Sequence, residues 1–307
     1  MGRAIETEQL TKYYGQHRGI LDVDLRVEEG EVFGFLGPNG SGKSTTIRLL
    51  LDLLRPTDGT VRVLGLDPRT SSVELRHRIG YLPGDLALYD NMTGRQLTQF
   101  FASLRSVDVT DSVARLARRF DFDLDRPIGD LSTGNRQKAG LIQAFMHDPD
   151  LLILDEPTSG LDPLMQQEFY ALIDETRTRG RTVFLSSHVL PEVEHIADRV
   201  AIIREGQIVV VEELAVLKQQ AIRRLDIAFA EPIILADFAD LKSVVSADVS
   251  ANRLRLSLRI TGAIDEVVKA AAHYEVLNLS SQDGDLEEVF LDYYGRQPDA
   301  SEGRSRS

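Results

Sequence analysis

Cysteine is absent from the 307-residue chain. Disulfide bonds, thiol nucleophiles and thiolate metal sites are therefore excluded, and the composition is compatible with a reducing compartment. The chain also has no uninterrupted apolar segment long enough to span a bilayer, and its N-terminus lacks the apolar stretch of a signal peptide. We therefore expect any role at a membrane to depend on a partner protein.

Basic residues are outnumbered by acidic ones, 35 to 48, which gives a formal net charge of -13. This balance argues against a general nucleic-acid-binding protein, because lysine and arginine supply most of the affinity for phosphate backbones. An acidic surface more often serves solubility. The content of 42% hydrophobic and 27% charged residues predicts a globular chain of one large domain or two modest ones.

The segment 37–45 (GPNGSGKST) matches the phosphate-binding pattern of Gly, four free positions and Gly-Lys-Ser/Thr. A buried strand is predicted before it at 31–36 and a helix after it at 45–54. Glycines let backbone N–H groups curl around a phosphate, Lys43 adds a cation, and the Ser44 hydroxyl suits Mg²⁺. The alternative is a glycine-rich turn, which the flanking strand and helix disfavour. The residues predicted to bind phosphate are Gly37, Pro38, Asn39, Gly40, Ser41, Gly42, Lys43, Ser44 and Thr45.

Two carboxylates, Asp155 and Glu156, directly follow the apolar run 151–154, as expected where a buried parallel strand ends at the ligand edge of an α/β sheet. Asp155 is suited to hold Mg²⁺ through a water, and Glu156 to polarise the water that attacks a γ-phosphate. Solvated loop residues are the alternative. His188 ends another predicted buried strand, 182–188, and is either a structural histidine or a contact to the γ-phosphate.

Two further signals are weak when taken alone. Tyr14 comes just before a glycine between two predicted strands, so its ring either stacks on an adenine or packs in a turn. The segment 131–138 is predicted to open a helix that continues to a stop at Asp148-Pro149, and Ser132 is predicted to be its N-cap. The exposed Gly134 at the start of that helix also suits a phosphate.

The remaining pattern predicts an α/β chain with a change of character beyond Leu214. A mainly helical block is expected at about 86–147. The other expected strands and helices before Leu214 are strands 4–10, 19–27 and 60–64, a helix near 70–80, a break at 81–85, and a hairpin of 198–204 with 207–211. After a connector at 217–224, we expect strands 225–229, 253–260 and 275–280 and helices 263–273 and 286–294.

With its motifs in this order along the chain, the sequence resembles the ATP-binding subunit of an ABC transporter over about residues 4–215. The matching positions are Tyr14 as the adenine-stacking aromatic, 37–45 as Walker A, 131–137 as the signature, 151–156 as Walker B, and Asp162 and His188. The signature is the family-specific element, because many unrelated NTPases share Walker A and Walker B. Thr133 and Asn135 replace its usual second glycine and its glutamine, whereas Ser132 and Gly134, the positions expected to meet phosphate, are intact.

The resemblance implies an α/β fold: a P-loop NTPase core of ABC type with an antiparallel β subdomain and a helical subdomain, then a small α+β C-terminal domain. The expected boundaries are 1–216 for the nucleotide-binding domain, 217–295 for the accessory domain and 296–307 for a disordered tail. The accessory domain resembles that of exporter-type ATPases related to antibiotic self-resistance systems. The implied catalytic residues are Glu156, His188 and Lys43, the metal ligands are Ser44 and Asp155, and Tyr14, Ser132, Gly134 and Asp162 join residues 37–45 in nucleotide binding.

The function implied is ATP binding and hydrolysis with Mg²⁺, in a homodimer or heterodimer in which the signature of one subunit completes the phosphate site of the other. Dimer closure would drive export through a separate transmembrane permease at the inner face of the cell membrane, and no nucleic acid is expected as a partner. A non-transport ABC ATPase, acting as a regulatory switch or as a switch associated with nucleic acid or the ribosome, is the alternative. A nucleotide-gated module without turnover is disfavoured by Glu156.

Gly84 departs from the family pattern, which places a glutamine there to help coordinate Mg²⁺ and to link the nucleotide to the transmembrane subunits. Glycine has no side chain for either task. We therefore expect a flexible loop with loose Mg²⁺ coordination. Either water or Asp85 takes the place of the glutamine, or the loop couples through backbone movement alone.

Overall fold

The computed structural model describes residues 2–220, 222–282, 286 and 290. The chain divides into two compact units, Met1–Val211 and Glu212–Ser307. Of the predicted helix at 286–294, only Leu286 and Phe290 are described, and the predicted tail at 296–307 lies outside the described residues. In the part that is described, no helix has the length and apolarity needed to cross a membrane.

The first unit combines two sheets with surrounding helices. Its strands are β1 (Arg3–Tyr14), β2 (His17–Glu28), β3 (Val32–Leu36), β4 (Asp58–Val63), β5 (Ile79–Leu82), β6 (Leu151–Asp155), β7 (Thr182–Ser187), β8 (Arg199–Arg204) and β9 (Gln207–Glu213). Its helices are α1 (Lys43–Leu50), α2 (Ser72–Arg78), α3 (Gly94–Arg105), α4 (Thr110–Arg119), α5 (Thr133–Phe145), α6 (Pro163–Thr178) and α7 (Leu190–Ile196).

The larger sheet positions the site. Its strand order is β5-β6-β7-β3-β8-β9, and β5, β6, β7, β3 and β8 pair in parallel. The strands β3, β6 and β7 are buried throughout, and β3 and β6 are apolar for most of their length, as is usual for strands covered on both faces. Asp155 pairs with Ser186, and Leu36 with Ser187. The segments after these neighbouring strands therefore begin side by side.

The antiparallel sheet, in the order β2-β1-β4, confirms the predicted strands but extends two of them. The prediction of β1 as 4–10 was too short, because Lys12 and Tyr13 pair with Ile20 and Arg18 of β2. Tyr14 therefore ends a strand and does not lie in a connection between strands.

One helix and one strand near the site also differ from the prediction. The helix expected at 45–54 spans 43–50, and two residues later Asp52 has a φ of 54°, a left-handed conformation that breaks helical geometry. Strand β5 was missed, because 79–80 were assigned to a helix and 81–85 to a break. Its four residues are too few to show a period, and their strand conformation comes from parallel pairing with β6.

The middle block is mainly helical as predicted, with α3, α4, α5 and a short 3₁₀ helix at Ile128–Asp130. Strands β8 and β9 are neighbours in the sheet, which confirms the predicted hairpin. Both assignments rested on periodicity sustained over several turns or on a clear Glu-Gly turn between apolar runs.

The second unit contains a four-stranded antiparallel sheet. Its elements are α8 (Leu214–Gln220), β10 (Arg223–Phe229), α9 (Ala236–Ala239), β11 (Val244–Val249), β12 (Arg255–Ile260), α10 (Asp265–Ala271) and β13 (Val276–Gln282), with strand order β11-β12-β10-β13. The strands predicted at 225–229, 253–260 and 275–280 are confirmed. The segment expected as a connector instead contains α8. Strand β11 was missed because its burial pattern does not alternate regularly, and α9 because its four residues are too few to show a helical period.

Candidate functional site

The loop between β3 and α1 brings its backbone close to neighbouring groups. A Cβ atom on Gly37 would lie 2.4 Å from the carbonyl oxygen of Ile203 and 2.5 Å from Ser41 Oγ, so no larger residue fits. Gly40 and Gly42 have φ angles of +79° and +113°, which residues with a Cβ rarely adopt. The loop then enters α1 at Lys43, so its backbone N–H groups and the helix N-terminus form a place suited to an anion.

Lys43 lies across the loop and faces Glu156. Its Nζ donates hydrogen bonds to the carbonyl oxygens of Gly37, at 2.6 Å, and Pro38, at 3.3 Å. The same atom lies 3.3 Å from Glu156 Oε1, and the lysine side chain is only 6% exposed. The cation predicted at the phosphate loop and the carboxylate predicted at the end of β6 are therefore in direct contact.

Asp155 is held by hydroxyl groups from two other elements. Ser44 Oγ donates to Asp155 Oδ2 at 2.7 Å, and Ser186 Oγ donates to Asp155 Oδ1. The carboxylate is buried, and Ser186 lies beside it because the two residues are partners in the register of β6 and β7. Ser44 and Asp155 are predicted from the sequence, whereas Ser186 is not. Its position at the end of a predicted parallel strand was the available signal.

Glu156 has a strained backbone and contacts the predicted histidine. Its φ is 53°, in the left-handed region that costs a residue with a Cβ about 1–3 kcal/mol. His188 Nδ1 lies 2.7 Å from Glu156 Oε2. Gln137, from α5, donates through Nε2 to the carbonyl oxygens of Pro157, at 2.9 Å, and Glu156, at 3.3 Å. Gln137 was missed as a site residue, although it lies in the motif that contains Ser132.

Glu192, on α7, ties together the segments that follow β6 and β7. Its carboxylate accepts hydrogen bonds from Thr158 Oγ1 and, at 2.8 Å, from Ser187 Oγ. Both hydroxyl-bearing residues are buried. Glu192 therefore fixes the spacing between the segment of Glu156 and the segment of His188. The sequence carried no signal for this residue.

An open cleft of about 520 Å³ lies over the loop. The predicted site residues that line it are Tyr14, Asn39, Gly40, Gly42, Lys43, Ser44, Thr45, Asp155 and Glu156. Tyr14 is 44% exposed, and its hydroxyl oxygen lies 3.4 Å from Thr45 Oγ1. Arg18 and Arg48 also line the cleft and were missed. Together with Lys43 they supply three cationic side chains, which suits a polyanion such as a triphosphate.

Seven predicted residues do not line this cleft: Gly37, Pro38, Ser41, Ser132, Gly134, Asp162 and His188. Ser132 is exposed, and its Oγ accepts a hydrogen bond from the Asn135 backbone at 3.4 Å, which confirms the predicted N-cap. A Cβ on Gly134 would lie 2.5 Å from the carbonyl oxygen of Gly160. The Asp162 carboxylate caps α6 by accepting from the backbone N–H groups of Leu164 and Met165. Nucleotide contact by these residues remains a prediction.

The segment around Gly84 forms another wall of the cleft. A Cβ on Gly84 would lie 3.1 Å from Asp155 Oδ2, so the missing side chain is one that would point at this carboxylate. Asp85 is exposed and lines the cleft, as does Tyr81. Burial raises the pKa of Tyr81, and the nearby Asp155 carboxylate raises it further. A neutral phenol therefore faces the carboxylate at physiological pH.

Comparison with known proteins supports the geometric picture. The family model for ABC transporters matches residues 20–159. The probable multidrug ABC transporter ATP-binding protein YbhF of Escherichia coli K12 is 37% identical over 210 residues, which cover 67% of this chain and 36% of that protein. This chain therefore spans about a third of the length of YbhF.

Another relative matches over nearly its whole length. The daunorubicin/doxorubicin resistance ATP-binding protein DrrA of Streptomyces peucetius is 33% identical over 317 residues, which cover 97% of this chain and 94% of that protein. A solved structure of the ATP-binding subunit of an ABC transporter aligns with a TM-score of 0.67 and 27% identity, covering 70% of this chain and 92% of that one.

Proposed function

Because the chain belongs to the family of ABC transporter ATP-binding proteins, we propose that it hydrolyses ATP to drive export through a separate transmembrane permease. One observation carries the enzymatic part of the proposal: Lys43, Ser44, Asp155 and Glu156 face one cleft over a glycine loop. A cation, a hydroxyl and two carboxylates at this place are the groups that phosphoryl transfer to water requires.

Phosphate binding is assigned to the loop and to the cations of the cleft. Backbone N–H groups of the loop would surround the phosphates, with Lys43, Arg18 and Arg48 balancing their charge. The exposed ring of Tyr14 at the side of the same cleft offers a face on which adenine can stack.

The donor set of Ser44 and Asp155 fits Mg²⁺. Their oxygen atoms lie 2.7 Å apart, and hydroxyl and carboxylate oxygens are the hard ligands that this ion prefers. Within the described residues no cluster of three or more His, Cys, Asp or Glu side chains suits a metal ion, which agrees with a cation held by few protein ligands plus phosphate oxygens. When bound, Mg²⁺ supplies neutralisation of phosphate charge.

Glu156 is assigned the role of orienting and polarising the attacking water. His188 contacts one oxygen of its carboxylate and Lys43 the other, at 2.7 and 3.3 Å, so both oxygens have defined positions. Water that donates a hydrogen bond to this carboxylate becomes more nucleophilic as it transfers its proton. Glu156, His188 and Lys43 follow the strands β6, β7 and β3, which are neighbours in the sheet, and this arrangement supports the assignment.

The proposal extends to a dimer with shared sites at the inner face of the cell membrane. Ser132 starts a 13-residue helix, is exposed, and lies outside the cleft of its own chain, as expected if it meets the nucleotide of a second subunit. Drug resistance in the name of DrrA and multidrug transport in that of YbhF support export as the direction.

Glu156→Gln tests the proposal. The amide cannot accept the proton of water, so we expect steady-state phosphate release to fall about 10²- to 10⁴-fold while ATP binding is retained. Glu74→Gln on the exposed face of α2 is the control and should hydrolyse ATP normally. When the Glu156→Gln protein is purified with ATP from gently solubilised native membranes, we expect a polytopic membrane protein to co-purify with it. Near-normal turnover would remove Glu156 from the base role, and wild-type protein without ATPase activity would end the enzymatic proposal.

A further inference from the structure

We propose that Gln137 is a positioning residue for Glu156, and that through it helix α5 controls the orientation of the carboxylate that acts on water. The inference rests on the proposed function, because it assigns Gln137 an effect on turnover through Glu156. Gln137 is not one of the residues that line the cleft, and its side-chain amide donates hydrogen bonds to the backbone of Glu156 and Pro157.

Gln137 donates its hydrogen bonds to the backbone of Glu156 and Pro157, whose conformation determines the orientation of the Glu156 side chain. The side-chain amide donates to the carbonyl oxygens of Glu156 and Pro157, at 3.3 and 2.9 Å, and an amide nitrogen has two hydrogens for these two acceptors. The Gln137 side chain is buried, so water does not replace it freely. Glu156 has a φ of 53°, and such a conformation persists only where the surroundings hold it.

The remaining backbone contacts of Glu156 do not come from α5. Its N–H donates to the carbonyl of Ser186 at 3.1 Å, and its carbonyl accepts from the N–H of Ser159 at 3.2 Å. Gln137 therefore links the backbone of Glu156 to α5. Ser132 and Gly134 lie at the start of the same helix, about one turn before Gln137. We therefore expect a displacement at the start of this helix to reach the backbone of Glu156 through these hydrogen bonds.

The test compares Gln137→Met with Gln143→Met. Methionine keeps the approximate size and shape of glutamine and removes both donors. Gln143 is the matched control, because it is buried in the same helix while the hydrogen bonds to Glu156 and Pro157 come from Gln137. We expect Gln137→Met to lower kcat on the order of tenfold to a hundredfold, with KM and ATP affinity unchanged, and Gln143→Met to keep kcat.

A double-mutant cycle separates positioning from a general effect on the fold. In Glu156→Gln protein, where the carboxylate is gone, Gln137→Met should not lower the residual single-turnover release of labelled phosphate any further. Wild-type kcat in Gln137→Met, or an equal loss in both backgrounds, would overturn the inference. So would failure of both Gln137→Met and Gln137→Leu, which likewise removes the donors without adding a charge, to fold or bind ATP. These outcomes are distinct from failure of the proposed function, which requires inactive wild-type protein.

Discussion

Ser186→Ala removes one of the hydroxyl groups that hold Asp155, and the structure predicts a measurable loss of stability. Ser186 and Asp155 are both buried, so water does not restore the lost hydrogen bond to Oδ1. Leaving a buried acceptor without its donor costs about 1–3 kcal/mol. For a unit of the size of Met1–Val211, about 2–4 °C is lost per kcal/mol, so its melting temperature should fall by about 2–12 °C.

The assay is differential scanning calorimetry of the full chain, with the same change repeated in the Asp155→Ala background. Once the carboxylate is absent, the Ser186 hydroxyl has lost its acceptor, and Ser186→Ala should then cost less than about 0.5 kcal/mol. Unchanged melting of Ser186→Ala, or an equal cost with and without Asp155, would refute the reasoning. The second result would mean that the hydroxyl stabilises some other part of the fold.

Two other predictions concern the shared site and the cleft wall. Mixing inactive Ser132→Arg and Lys43→Ala proteins should restore part of the ATPase activity, because a mixed dimer has one site with both defects and one with neither. If no activity returns under conditions in which the dimers exchange subunits, the sites are not shared. Gly84→Gln should lower the Mg²⁺ concentration for half-maximal ATPase, because a side chain there points at Asp155. Gly84→Ala is its control, and an equal shift in both variants would exclude a role for the amide.

The parts of the fold that could be predicted from the sequence are those whose conformation depends on residues close together in the chain. The glycine loop at 37–45, the carboxylates at the end of β6 and the histidine after β7 each come at the end of a predicted buried strand, and parallel strands bring such ends to one edge. The N-cap at Ser132 was likewise readable, because capping depends on residues only a few positions apart.

The parts that were missed depend on contacts between distant segments. Strand β5 has no distinctive pattern of its own and is defined by pairing with β6, about 70 residues later in the chain. Arg18 and Arg48 reach the cleft from β2 and α1, and neither arginine differs in sequence from an ordinary exposed one. Their contribution to the charge of the cleft follows only from the arrangement of the sheets.

The two carboxylates at the end of β6 are held by different elements, which gives them separable roles. Asp155 is fixed by Ser44 and Ser186, at the loop and at the neighbouring strand, so its position follows from the parallel sheet. Glu156 lies one residue beyond the strand in a strained conformation, and Gln137 of α5 holds its carbonyl. A change in the packing of α5 should therefore lower turnover while leaving the Ser44–Asp155 pair in place, since the hydrogen bonds described for Asp155 come from Ser44 and Ser186 and the described bonds of Gln137 go to Glu156 and Pro157.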